Sequence, residues 1–329
     1  MIPTSCARFG ATKTIIALIL AGMWSPLVAA PATEPSSHAR VFLTFDDGPI
    51  DVTLNVLEVL RRHHIKATFF VNGIHLTGQG GENETRSAEA LRRIIADGHV
   101  LGDHSFDHMR HNSTTGIASS VDTYRDMTSD LRYFVPENRA IVNAALGELA
   151  ARPNNQVAGM ARLPYTNTWI LPGYQAVCGI CTTDSDAPAH ADQTPASGLS
   201  ATRSDGIATR IAETLFHEYG MTIFGWDIHW QPANWQGPAS SETLEPAMSL
   251  AGRINALIDR PPCASDHTGD SIRCQHLPRF NKVVVLTHDF LFENSARGRG
   301  ADINIPQLEQ LIRTLQASGY RFDTLDRYF

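Results

Sequence analysis

Short apolar runs alternate with segments of helical periodicity from Arg40 onward. The runs are too short for helices, and they predict strands at residues 41–45, 67–71, 100–102, 159–163, 176–180, 222–226 and 283–287. Leucines at helical spacing predict helices across residues 54–60 and 308–315, the second ending before Gly319. This repeated order predicts parallel strands with right-handed crossovers, in an open sheet or a barrel with its chemistry at the carboxyl ends of the strands.

Three stretches interrupt this pattern and are interpreted as loop insertions. They are a largely helical segment at residues 112–155, a polar and proline-rich segment at 187–205, and the segment 261–278. None of them is long enough or apolar enough to form a separate domain.

The N-terminal residues have the layout of a secretory signal. Arg8 and Lys13 precede an apolar run at residues 14–23, and small residues follow up to Ala32. The run is well short of the roughly 20 apolar residues that span a bilayer, so we expect no stable membrane insertion after cleavage near Ala32. Residues 1–32 are therefore predicted to be removed on export to the periplasm or the cell exterior, with a retained N-terminal anchor as the alternative.

Composition and charge narrow the class of partner. The chain has 329 residues, 43% of them hydrophobic and 19% charged, which favours a folded globular protein over disorder. Its formal net charge is −7, and removal of residues 1–32 would take away two basic residues and no acidic ones. A net negative charge disfavours binding to the phosphate backbone, so we expect no nucleic-acid partner. The sequence carries no signal of oligomeric state.

Four cysteines remain outside the predicted signal segment: Cys178, Cys181, Cys263 and Cys274. An even number in an oxidising compartment predicts disulfides, and the most local of the three possible pairings joins the first two and the last two. The alternative is a redox pair or half of a zinc site at Cys178 and Cys181, which the absence of a second such pair in the sequence disfavours.

Two adjacent carboxylates end the first predicted strand, in Thr44-Phe45-Asp46-Asp47-Gly48-Pro49. Neighbouring side chains of a continuing strand point to opposite faces, but Gly48-Pro49 ends the strand, so both carboxylates can converge on one site. A turn in which the carboxylates bind only local backbone is the alternative. The segment His104-Ser105-Phe106-Asp107-His108 after the third strand favours a site, because two imidazoles four residues apart on a helical turn can bind one metal ion.

Further polar segments follow later strands: Arg162-Leu163-Pro164-Tyr165, Gly225-Trp226-Asp227-Ile228-His229-Trp230 and Val285-Leu286-Thr287-His288-Asp289. Together and in this order, the five segments resemble the motifs of the NodB-homology polysaccharide deacetylases, carbohydrate esterase family 4. The resemblance covers the chain from about Arg40 to the C-terminus. It implies an α/β fold, a distorted (β/α) barrel with loop insertions, and one catalytic domain over residues 33–329.

The resemblance also implies a role for each matching residue. Asp47, His104 and His108 would hold a divalent metal ion, with zinc expected and cobalt or nickel as alternatives. Asp46 would be the catalytic base held by Arg162, the backbone N–H of Tyr165 would stabilise the oxyanion, and His288 would be the catalytic acid. Leu286 would form a wall of the acetyl-methyl pocket.

The fourth segment departs from the family's usual Asp-x-x-Asp-Trp arrangement. Asp227 is expected to supply the carboxylate that orients His288, and Trp230 to line the acetyl pocket. His229 is the alternative occupant of the position where an aspartate is usual.

The expected activity is metal-dependent removal of N-acetyl groups from GlcNAc-type residues of peptidoglycan, chitin-like chains or an exopolysaccharide. An O-acetyl esterase acting on a xylan-like glycan and a non-catalytic carbohydrate-binding protein are the alternatives. The physical requirements of amide hydrolysis match these residue types: a site that activates water, a base, a stabilised oxyanion and an acid for the departing amine.

Overall fold

The structure is a computed structural model. It describes residues 39–81, 83–108, 136–164, 166–173, 177–178, 205–232, 243–258, 281–292 and 301–329, all within one compact unit that covers residues 34–329. The predicted signal segment lies outside the described residues, as do Cys181, Cys263, Cys274 and the side chain of Cys178, so the disulfides remain predictions. Within the described ranges, no helix has the length and apolar character needed to cross a bilayer.

Eight parallel strands form the main sheet. In chain order they are β1 Arg40–Gly48, β2 Thr68–Val71, β3 Val100–Asp103, β4 Met160–Ala161, β7 Thr222–Ile223, β8 Ile228–His229, β9 Lys282–His288 and β10 Arg321–Asp323. Their order across the sheet is β7-β4-β3-β2-β1-β9-β8, and β10 pairs with the first residues of β1. Crossovers between parallel strands bring all the strand carboxyl ends to one edge, where Asp46, Asp47, His104 and His288 lie.

Helices in the described ranges connect and cover these strands. They are α1 Thr53–Arg62, α2 Glu84–Ala96, α3 Glu137–Leu146, α4 Asp205–Tyr219, α5 Ala247–Ile258 and α6 Ala301–Ala317. Short 3₁₀ helices follow at Gly73–Leu76, Gly147–Ala151, Asp289–Phe292 and Leu325–Arg327. The C-terminal end of α6 agrees with the prediction, because Gly319 adopts a positive φ of 83° two residues after the helix.

The period-two alternation of the strands separates two cores. In β1, Val41, Leu43 and Phe45 pack with the helices, whereas Phe42 belongs to an interior cluster with side chains from β2, β3, β4 and β9. Because strands from across the sheet contribute to one interior cluster, the sheet curls around it. Strands β7 and β8 are the two ends of the strand order, and only four residues separate them in the chain. The predicted α/β fold of the distorted-barrel type is confirmed.

One predicted strand does not belong to the barrel. The run at residues 176–180 forms β6 Val177–Cys178, which pairs antiparallel with β5 Thr168–Trp169 in a separate two-stranded sheet. An apolar run does not itself specify its partner strand, so pattern reasoning placed it wrongly. Of the predicted insertions, residues 136–151 of the first are largely helical as expected, and the other two lie outside the described residues except for Asp205 at the start of α4.

A buried histidine beneath the sheet makes stability sensitive to acid. The Nδ1 atom of His99 accepts a hydrogen bond from the backbone N–H of Ala67 at 3.1 Å, and its ring meets the edge of Phe69. Burial, reinforced by the positive charges of Lys66 and Arg93, lowers the pKa of His99 to about 3. An unfolded chain protonates this histidine near pH 6.5, so its contribution is complete above that pH and declines as the pH falls toward 3.

We expect acidification from pH 7 to pH 5 to cost about 2 kcal/mol of unfolding free energy through His99 alone. In His99→Gln this pH dependence should be smaller by that amount, although the variant is less stable at pH 7. Urea unfolding of the chelator-treated protein at both pH values measures the difference, and His217→Ala, at an exposed histidine on α4, is the control. Equal pH dependence in the unaltered protein and His99→Gln would contradict the assignment.

Candidate metal centre and active site

The end of β1 brings two carboxylates to the same edge of the sheet. The pairing of β1 with β2 is irregular between Asp46 and Gly48, and Asp47 has a positive φ of 70°. This irregularity breaks the strict alternation, so both side chains serve one site, as expected from the sequence. Gly48 is required here because a Cβ atom would lie 2.1 Å from the Oδ2 atom of Asp289.

The two predicted histidine ligands lie on an irregular loop rather than on a helical turn. Ser105 and His108 have positive φ angles of 66° and 56°, which a helix does not allow. The Nδ2 atom of Asn72 donates to the carbonyl oxygens of His104 and Ser105, and the Oδ1 atom of Asp103 accepts from the Ser105 backbone N–H at 2.7 Å. Side-chain hydrogen bonds with this backbone stabilise the loop, and they replace the helical bonds that the spacing suggested.

Asp47, His104 and His108 meet at one point. The Oδ1 atom of Asp47 lies 3.4 Å from the Nε2 atom of His104 and 3.3 Å from that of His108, and one potential ligand atom of each residue lies within 4.8 Å of the others. This Asp47 oxygen is buried with no hydrogen bond of good geometry, which is the arrangement expected of an atom that binds a cation. The Nδ1 atom of His104 is 2.8 Å from the carbonyl oxygen of Arg162, which selects the tautomer whose Nε2 lone pair faces the site. The residues therefore fit a divalent metal ion.

The charges at this point favour a cation. Burial tends to raise the pKa of Asp47, but the positive charge of His108 and the close approach of the His104 imidazole lower it well below its usual value. Burial tends to lower the pKa of His104, whereas Asp46 and Asp47 raise it above its usual value. The carboxylate is thus ionised at neutral pH, and the negative field that stabilises a protonated imidazole would equally stabilise a metal ion.

A buried arginine holds Asp46. The Nη1 atom of Arg162 donates to the Oδ1 atom of Asp46 at 2.8 Å and lies 2.7 Å from the hydroxyl of Thr44. Nε and Nη2 donate to the carbonyl oxygens of Phe224 and Gly225, which directly follow β7. The guanidinium therefore joins β1 to the segment after β7. The other carboxylate oxygen of Asp46 lies 3.7 Å from the Nε2 atom of His104, which places it beside the metal centre without joining its ligand set.

His288 ends β9 beside the same centre, and the ring facing it is that of His229. The Nδ1 atom of His288 and the Nε2 atom of His229 are 3.4 Å apart. Asp227 instead pairs with Val284, since its Oδ2 atom accepts from the Val284 N–H at 2.8 Å. Val284 precedes His288 by four residues, about 13 Å along a strand, so the expectation that Asp227 orients His288 is wrong.

Trp230 does not line the site. Its side chain is fully buried on the helix-facing side of the sheet, against Phe292, and its Nε1 atom donates to the carbonyl oxygen of Glu245. Trp226 lies in the interior cluster with Leu286, close to the guanidinium of Arg162. The expectation that Trp230 forms a wall of the acetyl pocket is therefore wrong, whereas Trp226 does face the barrel interior.

The remaining predicted residues stand as follows. Leu286 is buried in the interior cluster, consistent with its expected place, and Tyr165 lies outside the described residues. Sequence reasoning missed Asn167, whose Oδ1 atom accepts from the Trp226 backbone N–H and whose Nδ2 atom donates to the Trp226 carbonyl oxygen. It also missed Asn72 and Asp103, although a polar residue within or just after a buried strand is a signal that could have found both.

Comparison with known proteins places this site in a family. A family model described as polysaccharide deacetylase matches residues 33–150, the segment that carries Asp46, Asp47, His104 and His108. The chitin disaccharide deacetylase of Vibrio alginolyticus is 32% identical over 318 residues, which cover 90% of this chain and 72% of that protein. The chain belongs to the polysaccharide deacetylase family. The predictions of this family and of an enzyme are thereby confirmed.

Other polysaccharide deacetylases match over different spans. The peptidoglycan-N-acetylglucosamine deacetylase of Bacillus cereus is 37% identical over 93 residues, which are 26% of this chain and 31% of that protein. The solved catalytic domain of peptidoglycan N-acetylglucosamine deacetylase from Eubacterium rectale shares 19% identity at a TM-score of 0.48, covering 93% of this chain and 96% of that one.

Proposed function

We propose that this protein removes acetyl groups from the N-acetylated amino-sugar residues of a GlcNAc-type oligosaccharide or polysaccharide. The observation that carries the proposal is the convergence of Asp47, His104 and His108, with the carboxylate of Asp46 beside them and outside their ligand set. Relatives named for deacetylation of chitin disaccharide and of peptidoglycan N-acetylglucosamine support the choice of an amide of an amino sugar.

Asp47, His104 and His108 would hold the metal ion through one oxygen and two nitrogens. Zinc suits this donor set, and cobalt or nickel would suit it as well. A bound divalent ion lowers the pKa of coordinated water and polarises a carbonyl oxygen. Three protein ligands leave positions for water and substrate, which distinguishes a catalytic site from a structural one.

The protein's own groups then supply the proton transfers. Asp46 accepts the proton of the attacking water, and Arg162 orients the Asp46 carboxylate through a direct ion pair. His288 donates a proton to the departing sugar nitrogen, and the family resemblance assigns stabilisation of the oxyanion to the backbone N–H of Tyr165. Leu286 and Trp226 provide apolar surface on the barrel interior that suits the acetyl methyl group.

Acetate release tests this proposal. We expect the full-length protein to release acetate from chitooligosaccharide, peptidoglycan or poly-GlcNAc when zinc, cobalt or nickel is added, and to lose this activity with a chelator. His104→Ala should lose metal affinity and activity together because it removes one of three ligands. Acetate release from acetylxylan alone would indicate an O-acetyl esterase, and metal-independent glycan binding without acetate from any substrate would contradict an enzymatic role.

A further inference from the structure

Two imidazole rings face one another where β8 and β9 end. The Nε2 atom of His229 and the Nδ1 atom of His288 are 3.4 Å apart, and the ring centroids are 5.1 Å apart with planes inclined at 54°. The edge of Trp226 meets the His229 ring from another direction, at a centroid distance of 6.0 Å. His229 is therefore packed between Trp226 and His288.

The strand register accounts for this contact. His229 pairs with Leu286 across the parallel ladder, and His288 lies two residues beyond Leu286 on the same face. Trp230, the next residue after His229, points to the opposite face and is buried among the helices. Consequently His229 is the β8 side chain placed to reach His288.

We propose that His229 is a positioning residue for His288: its Nε2 atom accepts a hydrogen bond from the Nδ1–H of His288, which makes Nε2 of His288 the nitrogen that delivers the proton. The inference rests on the proposed function, in which His288 is the acid. As the C–N bond of the amide breaks, its electron pair goes to nitrogen, and that nitrogen takes the Nε2 proton of His288. The Nδ1 proton stays on His288 and stays bonded to His229, and solvent later restores the proton that was transferred.

The surroundings of His229 keep its ring neutral and able to accept a hydrogen bond. Burial, followed by the positive charges of His288, Arg162 and Arg253, lowers the pKa of His229 well below its usual value, while Asp47 acts in the opposite direction. A neutral His229 has one nitrogen with a lone pair, and the geometry assigns that lone pair to Nε2.

The charge of the residue at position 229 affects the pKa of His288. Burial lowers the pKa of His288, Asp47 and Asp46 raise it in part, and His104 and Arg162 lower it further. An imidazole at position 229 adds no negative charge to this balance, whereas a carboxylate there would favour protonated His288. The identity of residue 229 should therefore set the pH above which the acid form is lost.

Four variants of the full-length, zinc-loaded protein test the proposal by acetate release across pH. His229→Ala should lower kcat about 10- to 100-fold with little change in KM, because the acid is no longer held in place. His229→Gln, whose side-chain oxygen can take the place of Nε2, should recover most of kcat, and His229→Glu, which puts a carboxylate there, should move the alkaline limb of kcat upward by about one pH unit or more. His217→Ala, at an exposed histidine, is the control and should resemble the unaltered protein.

Two outcomes would overturn the proposal: an unchanged kcat in His229→Ala, or equal losses in the alanine and glutamine variants with no shift of the alkaline limb in His229→Glu. Nitrogen-15 NMR of the histidine rings gives a readout that does not depend on activity. His288 should carry its neutral-state proton on Nδ1 in the unaltered protein and lose this preference in His229→Ala. If the unaltered protein releases no acetate but its His288 signals differ from those of His229→Ala in this way, the proposed function is contradicted and the pairing of the two histidines is supported. Identical His288 spectra in the two proteins would refute the pairing.

Discussion

Asp46→Asn is expected to lower the turnover of acetate release by about two to four orders of magnitude while metal remains bound. The substitution keeps the shape of the side chain and its contact with Arg162 but removes the negative charge that accepts a proton from water. Metal binding should persist because the ligand set consists of Asp47, His104 and His108. Turnover at saturating substrate and metal content of the dialysed protein measure the two effects separately.

The matched control is Asp51→Asn. Asp51 follows the same strand end but is exposed and pairs with Arg86 on the surface, so its charge should be dispensable for turnover. If Asp46→Asn lost its metal to the same extent as His104→Ala, Asp46 would have to be a ligand, and its assignment as the base would fail.

Arg162→Met is expected to lower the unfolding free energy by about 3 to 5 kcal/mol, because it leaves a buried carboxylate without its partner. Arg162 is fully buried, and its guanidinium also satisfies the carbonyl oxygens of Phe224 and Gly225. Methionine retains much of the volume, so the loss reports the charge and the hydrogen bonds rather than a cavity. Urea unfolding in the presence of a chelator measures it without a contribution from bound metal.

Two further variants bracket this result. Arg162→Lys keeps a positive charge but cannot reproduce the forked contacts with Asp46, Thr44 and the two carbonyl groups, so its stability should fall between those of Arg162→Met and the unaltered protein. Arg139→Met, at an exposed position on α3, should change stability by less than about 0.5 kcal/mol. A loss in Arg162→Met no larger than in Arg139→Met would show that the buried pair contributes nothing to folding.

The sequence predicts the positions of the strands better than it predicts which strands pair. Strands β1 and β9 each bury a run of apolar residues, and their positions agree with the sequence-based prediction. The short run that forms β6 was also found, but its antiparallel pairing with β5 was not, because pairing depends on long-range packing that a local pattern does not contain. The same limitation affects His104 and His108, whose spacing suggested a helical turn although the loop is held by Asn72 and Asp103.

The sequence alone was sufficient to determine the chemical groups of the site, because carboxylates and imidazoles at the ends of successive parallel strands must meet at one edge of a curled sheet. It also determined the family, through segments whose order and spacing are specific. Only the tertiary structure decided which side chain faces His288 and where Trp230 lies. A shift of one residue in the pairing of β8 with β9 would exchange the two faces of β8, and that register is set by packing across the barrel.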